Sequence, residues 1–248
     1  MKNNYTKILG INFLNGTSKN AFDLIEKNGG LLTVPAAPGL ANIPNDSLYY
    51  KALLESDLVI PDSGYMVLIW NLISKDKIKK ISGLHFINTF SKNISCVKNE
   101  TFLLVNPNDV EGKFNKDYFE KLGVATQNIE LYSAPFFTTT FDDFILLEII
   151  NKQKPKFIFL NIGGGIQEKL GLFIKNNANY KPAIICTGAA IAFKTGKQVK
   201  IPSFIDKFYL GWFVRILSNP KLYFKRYYNS IGLLKLIVKH KDKKINNP

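Results

Sequence analysis

Short apolar runs of strand length alternate with helical patterns along most of this chain, and that alternation limits the folds open to it. In order come Ile8 to Leu14, a helix near Ser18 to Glu26, a strand at Leu31 to Val34, a helix near Asp46 to Leu54 and a strand at Asp57 to Ile60. Further strands are expected at Thr101 to Val105, Glu130 to Ser133, Lys156 to Asn161 and Ala183 to Cys186. Helical patterns around Tyr118, Phe144 and Phe173 separate them. Strands separated by helices predict a parallel sheet with helical crossovers. The 248 residues, 46% of them apolar, can bury one ordinary core of that kind.

From Pro202 onward the strand pattern stops. Two helices are expected there, Ser203 to Leu217 and Pro220 to Val238, joined at Ser218-Asn219-Pro220, where a cap and an early helical proline fit. The fold class is therefore α/β: a Rossmann-like, largely parallel sheet over residues 1–196, with a basic amphipathic helical appendage over 197–248. The final fifty-five residues hold thirteen Lys/Arg and two acids, so they carry +11 of the chain's formal +14. Aromatic residues such as Phe204, Tyr209, Trp212, Phe213 and Tyr223 are interleaved with these charges. Such a segment suits a phosphate-rich surface, whether anionic membrane, lipid pyrophosphate or nucleic acid.

Two cysteines far apart, Cys96 and Cys186, do not make a disulfide framework. Two histidines and no compact acidic cluster give little for a metal site, and none is expected. The N-terminus lacks a secretory cleavage pattern, which places the expected chain in the cytoplasm. Ile231 to Val238, interrupted by Lys235, is too short to span a bilayer, so the appendage is expected to lie on a membrane rather than cross it.

In an open α/β sheet, ligands bind beyond the carboxyl ends of the strands. The residues to inspect there are Thr33 to Ala36, Pro61 to Gly64, Val105 to Asn108, Asn161 to Gly165 and Thr187 to Ala190. Asp62 could take a proton from an attacking hydroxyl, or could simply N-cap the helix starting near Ser63. Thr33 offers a hydroxyl to the same crevice, or is an ordinary β-branched strand residue. Gly163, Gly164 and Gly165 turn a strand into a helix, allowing phosphate close to backbone amides, with Gln167 able to add hydrogen bonds; a plain tight turn is the alternative. The pattern is neither G-x-G-x-x-G nor a Walker loop, so dehydrogenase and P-loop assignments lack their fingerprints. Gly188 provides a second anion-tolerant helix start. His85 heads the helical pattern Phe86 to Ser91 and is catalytic or structural. Arg215, Lys221, Lys225 and Arg226 could surround a pyrophosphate, or could be a solvated helix face.

Taken in order, the stretches Leu53 to Gly64 and Thr187 to Lys197, then Pro202, Leu210 to Leu217, Asn219-Pro220-Lys221 and Arg226-Tyr227, resemble the WecG/TagA/CpsF family of bacterial glycosyltransferases. The likeness runs from about Gly10 to Tyr227. It implies inverting transfer of a sugar of N-acetylmannosamine, uronic acid or related hexose type from a UDP-sugar to a polyprenyl-pyrophosphate-linked saccharide. The setting it implies is cell-surface polysaccharide synthesis at the inner membrane face, with no cofactor and no essential metal. Asp62 would be the general base, with Thr33 in the same pocket and Gln167 and Glu168 near the nucleotide. Arg215, Lys221 and Arg226 would supply cations to the diphosphate. The chain departs from the family at Pro35 and Ala36, at Lys80 to His85, at Gly165-Ile166 and near Ala192 and Phe193. A neutral histidine in place of the family aspartate alters donor charge preference or leaves Asp62 as the base.

A noncatalytic protein that holds nucleic acid or anionic lipid through its tail is the competing reading; it predicts salt-sensitive binding and indifference to Asp62. No recognition motif for nucleic acid accompanies the basic tail, so no nucleic-acid partner is expected. A third reading is a family member that has lost activity but still binds UDP-sugar or lipid. Homo-oligomerisation is left open.

Overall fold

The computed structural model describes residues 5–138, 140–188, 190–191 and 230–245. Eight strands form one sheet: β1 (Tyr5–Ile8), β2 (Ile11–Leu14), β3 (Gly30–Thr33), β4 (Leu58–Val59), β5 (Phe102–Asn106), β6 (Ile129–Ser133), β7 (Phe157–Leu160) and β8 (Ala183–Cys186). Their order is β1-β2-β4-β3-β8-β7-β5-β6, and every pairing except β1 with β2 is parallel. The fold is thus α/β with a mostly parallel sheet, as the alternation predicts.

The run Ile8 to Leu14 is not one strand but the second half of a hairpin. Leu9 and Gly10 both take positive φ, 53° and 78°, and make the two-residue turn between Ile8 and Ile11. An apolar residue in the turn hid the break.

Crossover helices sandwich the sheet. One face packs α1 (Ser18–Asn28), α5 (Gly83–Lys92) and α6 (Asp109–Lys121) against Leu32, Ile60, Phe102, Leu104, Phe157, Phe159 and Ile185. The other packs α3 (Ser47–Leu54), α7 (Phe144–Gln153) and α8 (Ile166–Asn177) against Leu31, Leu103, Val105, Ile158, Leu160 and Ile184. Consecutive strand residues face opposite layers, and both layers are apolar, so the central strands read as continuous apolar runs rather than alternating ones.

A third cluster joins the hairpin to α2 (Ala37–Ala41), α3, α4 (Gly64–Ile73) and α9 (Gly232–His240). The 197–248 segment is described only over 230–245, and that part packs on the body. Leu233 and Ile237 of α9 are buried there, while Leu9 N–H donates to Lys241 O (2.7 Å) and Gly10 N–H to Asp242 O (3.1 Å). Tyr50 completes the clasp, its hydroxyl donating to Leu9 O (2.7 Å) and accepting from Ile245 N–H (3.0 Å). The helix expected over Pro220 to Val238 lies mostly outside the described residues; its described part ends at His240. Both cysteines are free.

Candidate active site

The chain's own topology marks where a ligand fits. After β5 it crosses to the α6 face, and after β7 it crosses to the α8 face, although β5 and β7 are neighbours. Segments diverging from adjacent carboxyl ends leave a crevice between them. The same carboxyl edge of the sheet carries the ends of β4, β3 and β8, so the candidate residues share one rim.

Asp62 sits past β4, in a turn where its N–H donates to Ile60 O (3.0 Å). Ser63, not Asp62, caps α4: its hydroxyl accepts from Met66 N–H (3.1 Å). The Asp62 carboxylate instead accepts from Gly83 N–H (3.1 Å), the first residue of α5. An amide at a helix N-terminus stabilises a carboxylate and fixes its direction. Gly83 is itself pinned, because a Cβ there would stand 3.1 Å from Thr187 O and 3.4 Å from Val34. The ends of β3, β4 and β8 therefore meet around the Asp62 contact. Asp62 is partly buried, which leaves it reachable.

Of its two readings, Thr33 is placed as the β-branched strand residue. It is wholly buried, and its hydroxyl donates to Ser56 Oγ (3.0 Å), which donates in turn to Ala52 O (2.7 Å). Thr33 shares the Leu31 side of β3, so its hydroxyl enters the helical layer rather than the crevice. His85 lies exposed in the first turn of α5, its N–H donating to Ser82 Oγ (3.1 Å). It stands near the Asp62 contact but takes its place there through the backbone.

Gly163 and Gly165 adopt φ of 98° and 93°, and a Cβ at residues 163, 164 or 165 would meet nothing within 4 Å. The glycines satisfy a backbone requirement and leave open space over the start of α8, a place suited to phosphate. Gln167 and Glu168 point the other way. Both are buried; Glu168 accepts from Gly165 N–H (2.6 Å) and from Gln167 Nε2 (3.0 Å), while Gln167 Oε1 accepts from Gly188 N–H (3.2 Å). A carboxylate only accepts, so it turns the Gln167 amide nitrogen inward and its oxygen toward Gly188. These two side chains thus tie the β7–α8 turn to the β8 loop. Burial raises the Glu168 carboxyl above its usual range against the opposing hydrogen bonds from Gln167 and the backbone, and burial beside Glu168 raises the Cys186 thiol.

Arg215, Lys221, Lys225 and Arg226 lie outside the described residues. Among the described residues no group of three or more His, Cys, Asp or Glu is placed to hold a metal ion, and no helix is long and apolar enough to cross a membrane. Asn106 and Asn161, which end β5 and follow β7, lie in the strand-end stretches marked out in the sequence, but no role was assigned to them there. Phe136, 91% exposed just past β6, offers a flat ring on the same edge.

In sequence the chain is similar to known proteins. An N-acetylglucosaminyldiphosphoundecaprenol N-acetyl-beta-D-mannosaminyltransferase of Bacillus spizizenii is 24% identical over 201 residues, covering 79% of this chain and 74% of that protein. A protein of the same name from Bacillus subtilis strain 168 is 25% identical over 224 residues, covering 86% of this chain and 83% of its own. The sequence model of the glycosyl transferase WecG/TagA/CpsF family matches residues 6–247. With nearly its whole length matched, and a reachable carboxylate on the same sheet edge as an open glycine turn, this chain belongs to the WecG/TagA/CpsF family of glycosyltransferases.

Proposed function

We propose that this glycosyltransferase moves a sugar of the N-acetylmannosamine, uronic acid or related hexose type from a UDP-sugar to a polyprenyl-pyrophosphate-linked saccharide, with inversion. The relatives are named for an acetylated sugar and a diphosphoundecaprenol acceptor, which supports that pairing of substrate classes. The observation that carries the reading is the Asp62 carboxylate, aimed by Gly83 N–H on the edge that also bears the Gly163 to Gly165 turn.

In the proposed reaction the acceptor hydroxyl loses its proton to Asp62 as its oxygen bonds to the anomeric carbon. The bond to the diphosphate oxygen breaks on the opposite face, and UDP departs with the electron pair. Negative charge grows on that leaving group. Amides at the start of α8 and the cations Arg215, Lys221, Lys225 and Arg226 are the groups proposed to stabilise it. His85, beside the Asp62 contact, is proposed to tune donor charge preference rather than to share the proton.

The setting proposed is the inner face of the cell membrane. Leu68, Leu72 and Ile73 of α4, Ile231 just before α9, and Leu234 and Val238 of α9 are exposed, α9 packs on α4, and Lys235 and Lys239 lie along α9. An apolar strip with lysines beside it suits an anionic leaflet. UDP release from a panel of UDP-sugars, with a short-chain polyprenyl-pyrophosphate saccharide as acceptor, tests the reading. Acceptor-dependent turnover that falls at least a hundredfold in Asp62→Asn supports it. Turnover unchanged in the variant removes the base, and no turnover with any donor removes the reaction. Rates equal with and without anionic liposomes would argue against the membrane setting.

A further inference from the structure

Asn106 and Asn161 form an oriented polar pair beneath the crevice between β5 and β7. Asn106 is buried, and its Nδ2 donates to Leu104 O (2.7 Å). That bond fixes the amide, so Asn106 Oδ1 accepts from Asn115 Nδ2 (2.7 Å) and from Asn161 Nδ2 (3.2 Å). Asn161 Oδ1 is then buried with no hydrogen-bond donor. Neither amide can turn over: a reversed Asn161 would set oxygen against Asn106 Oδ1, and a reversed Asn106 would set its nitrogen against two donors. The network presents an acceptor at this point, and an unsatisfied buried acceptor calls for an explanation.

We infer that Asn161 Oδ1 receives a hydrogen bond from the nucleoside part of the donor substrate, either the imide N–H of uracil or the ribose 2′-hydroxyl. This rests on the UDP-sugar reading and adds the group that recognises the nucleoside. The diphosphate is a poor candidate for the same spot, since a carbonyl oxygen repels it while the neighbouring glycine turn attracts it. The two features therefore divide the crevice, with phosphate at the turn and the donor-bearing nucleoside at Asn161. Asn161 Oδ1 is covered here, so this contact requires a small movement of the glycine turn, which has open space beside it.

Calorimetric titration of the full chain with UDP, 3-methyl-UDP and 2′-deoxy-UDP, in wild type and Asn161→Ala, tests this, with thermal melting of each protein to check folding. Asn161→Ala should bind UDP about tenfold more weakly, the loss of one neutral hydrogen bond. One analogue should show a similar loss against wild type and no further loss against the variant, because each change removes the same contact. The methylated analogue behaving so identifies the imide, and the deoxy analogue identifies the ribose. Asn161→Ser carries the cycle where Asn161→Ala does not fold. Wild type that binds UDP and both analogues equally, or analogue and variant losses that simply add, overturns the role of Asn161 and leaves the transferase reading standing. Wild type that binds no UDP overturns both.

Discussion

Phe90 is the side chain on which the seat of α5, and through it the Asp62 contact, depends most. It is 2% exposed and meets Phe22, Phe157 and Phe159 edge-on, with centroids 5.4, 5.3 and 5.2 Å away and planes 76°, 89° and 87° apart. Phe86, Phe102 and Phe119 complete the shell at 6.4 Å. Truncating a core phenylalanine to alanine costs about 3–5 kcal/mol, and edge-to-face pairs add to area burial. Phe90→Ala belongs at the upper end, about 4–5 kcal/mol, since aromatic neighbours on several elements cannot all collapse into the space. Phe90→Leu keeps most of the volume and loses the edge contacts, so about 1–2.5 kcal/mol is expected. A domain's total stability is only about 5–15 kcal/mol, so the alanine variant should be close to unfolding in water. Urea titration followed by tryptophan fluorescence measures both, with an unchanged slope required before the midpoints are compared. The same leucine variant should lower kcat, because Gly83 N–H reaches Asp62 from the helix that Phe90 anchors. A Phe90→Ala loss below about 2 kcal/mol, or a leucine variant as unstable as the alanine one, would refute the claim that these ring contacts seat α5.

Two carboxylates should give the protein opposite pH responses. Glu168 is raised chiefly by burial, so its native state binds a proton more tightly than the unfolded chain does. Its favourable contribution is present below the usual value of 4.5 and is lost as pH rises through the native one; Glu168→Gln should flatten that part of a stability profile measured by urea midpoints. Burial works against the Asp57 carboxylate, but Lys175 at 2.8 Å, Leu31 N–H at 2.9 Å and Lys181 at 3.3 Å outweigh it and hold its pKa down. Its contribution is present above the usual 3.8 and is lost as pH falls through the native value, so Asp57→Asn should remove part of the acid sensitivity. Gly30, with φ of 97° and only 2.5 Å between a built Cβ and Asp57 Cγ, should tolerate no side chain. Gly30→Ala should cost more than about 2 kcal/mol in the same assay, combining backbone strain and displacement of the carboxylate.

Strands such as Phe102–Asn106 and Phe157–Leu160 were legible because burial on both faces writes an unbroken apolar run into local sequence. The order that pairs β8 with both β3 and β7 was not, since it depends on which distant surfaces fit together. The same distinction governs the site. Asp62 could be placed at a strand end from its neighbours, but its partner Gly83 lies 21 residues away across the α4 helix. For Thr33 both readings stayed open because both layers flanking β3 are apolar, so alternation could not say which one its hydroxyl enters. For Gln167 and Glu168, the glycine turn announced a strand-to-helix junction; that their side chains fold under it follows from contacts with Gly188, made only when β7 and β8 lie side by side.

Those contacts also explain how the proposed base and the proposed leaving-group site, on different strands, can keep one spacing. Asp62 is held by Gly83, Gly83 packs on Thr187 O, and Gly188 beside it is held by Gln167, whose orientation Glu168 dictates through the same carboxylate that grips Gly165. Each link is either a directed hydrogen bond or a close packing contact. An in-line displacement needs the attacking oxygen and departing diphosphate on opposite sides of one carbon, and small misplacements are costly in rate. A crevice whose two sides moved independently would lose that alignment with every loop fluctuation. Here the β8 loop joins them, so a change at Glu168 should reach kcat although its side chain is buried away from the open space over the turn. Loss of that coupling should appear as lowered turnover with UDP affinity retained, whereas damage at Asn161 should appear first in affinity.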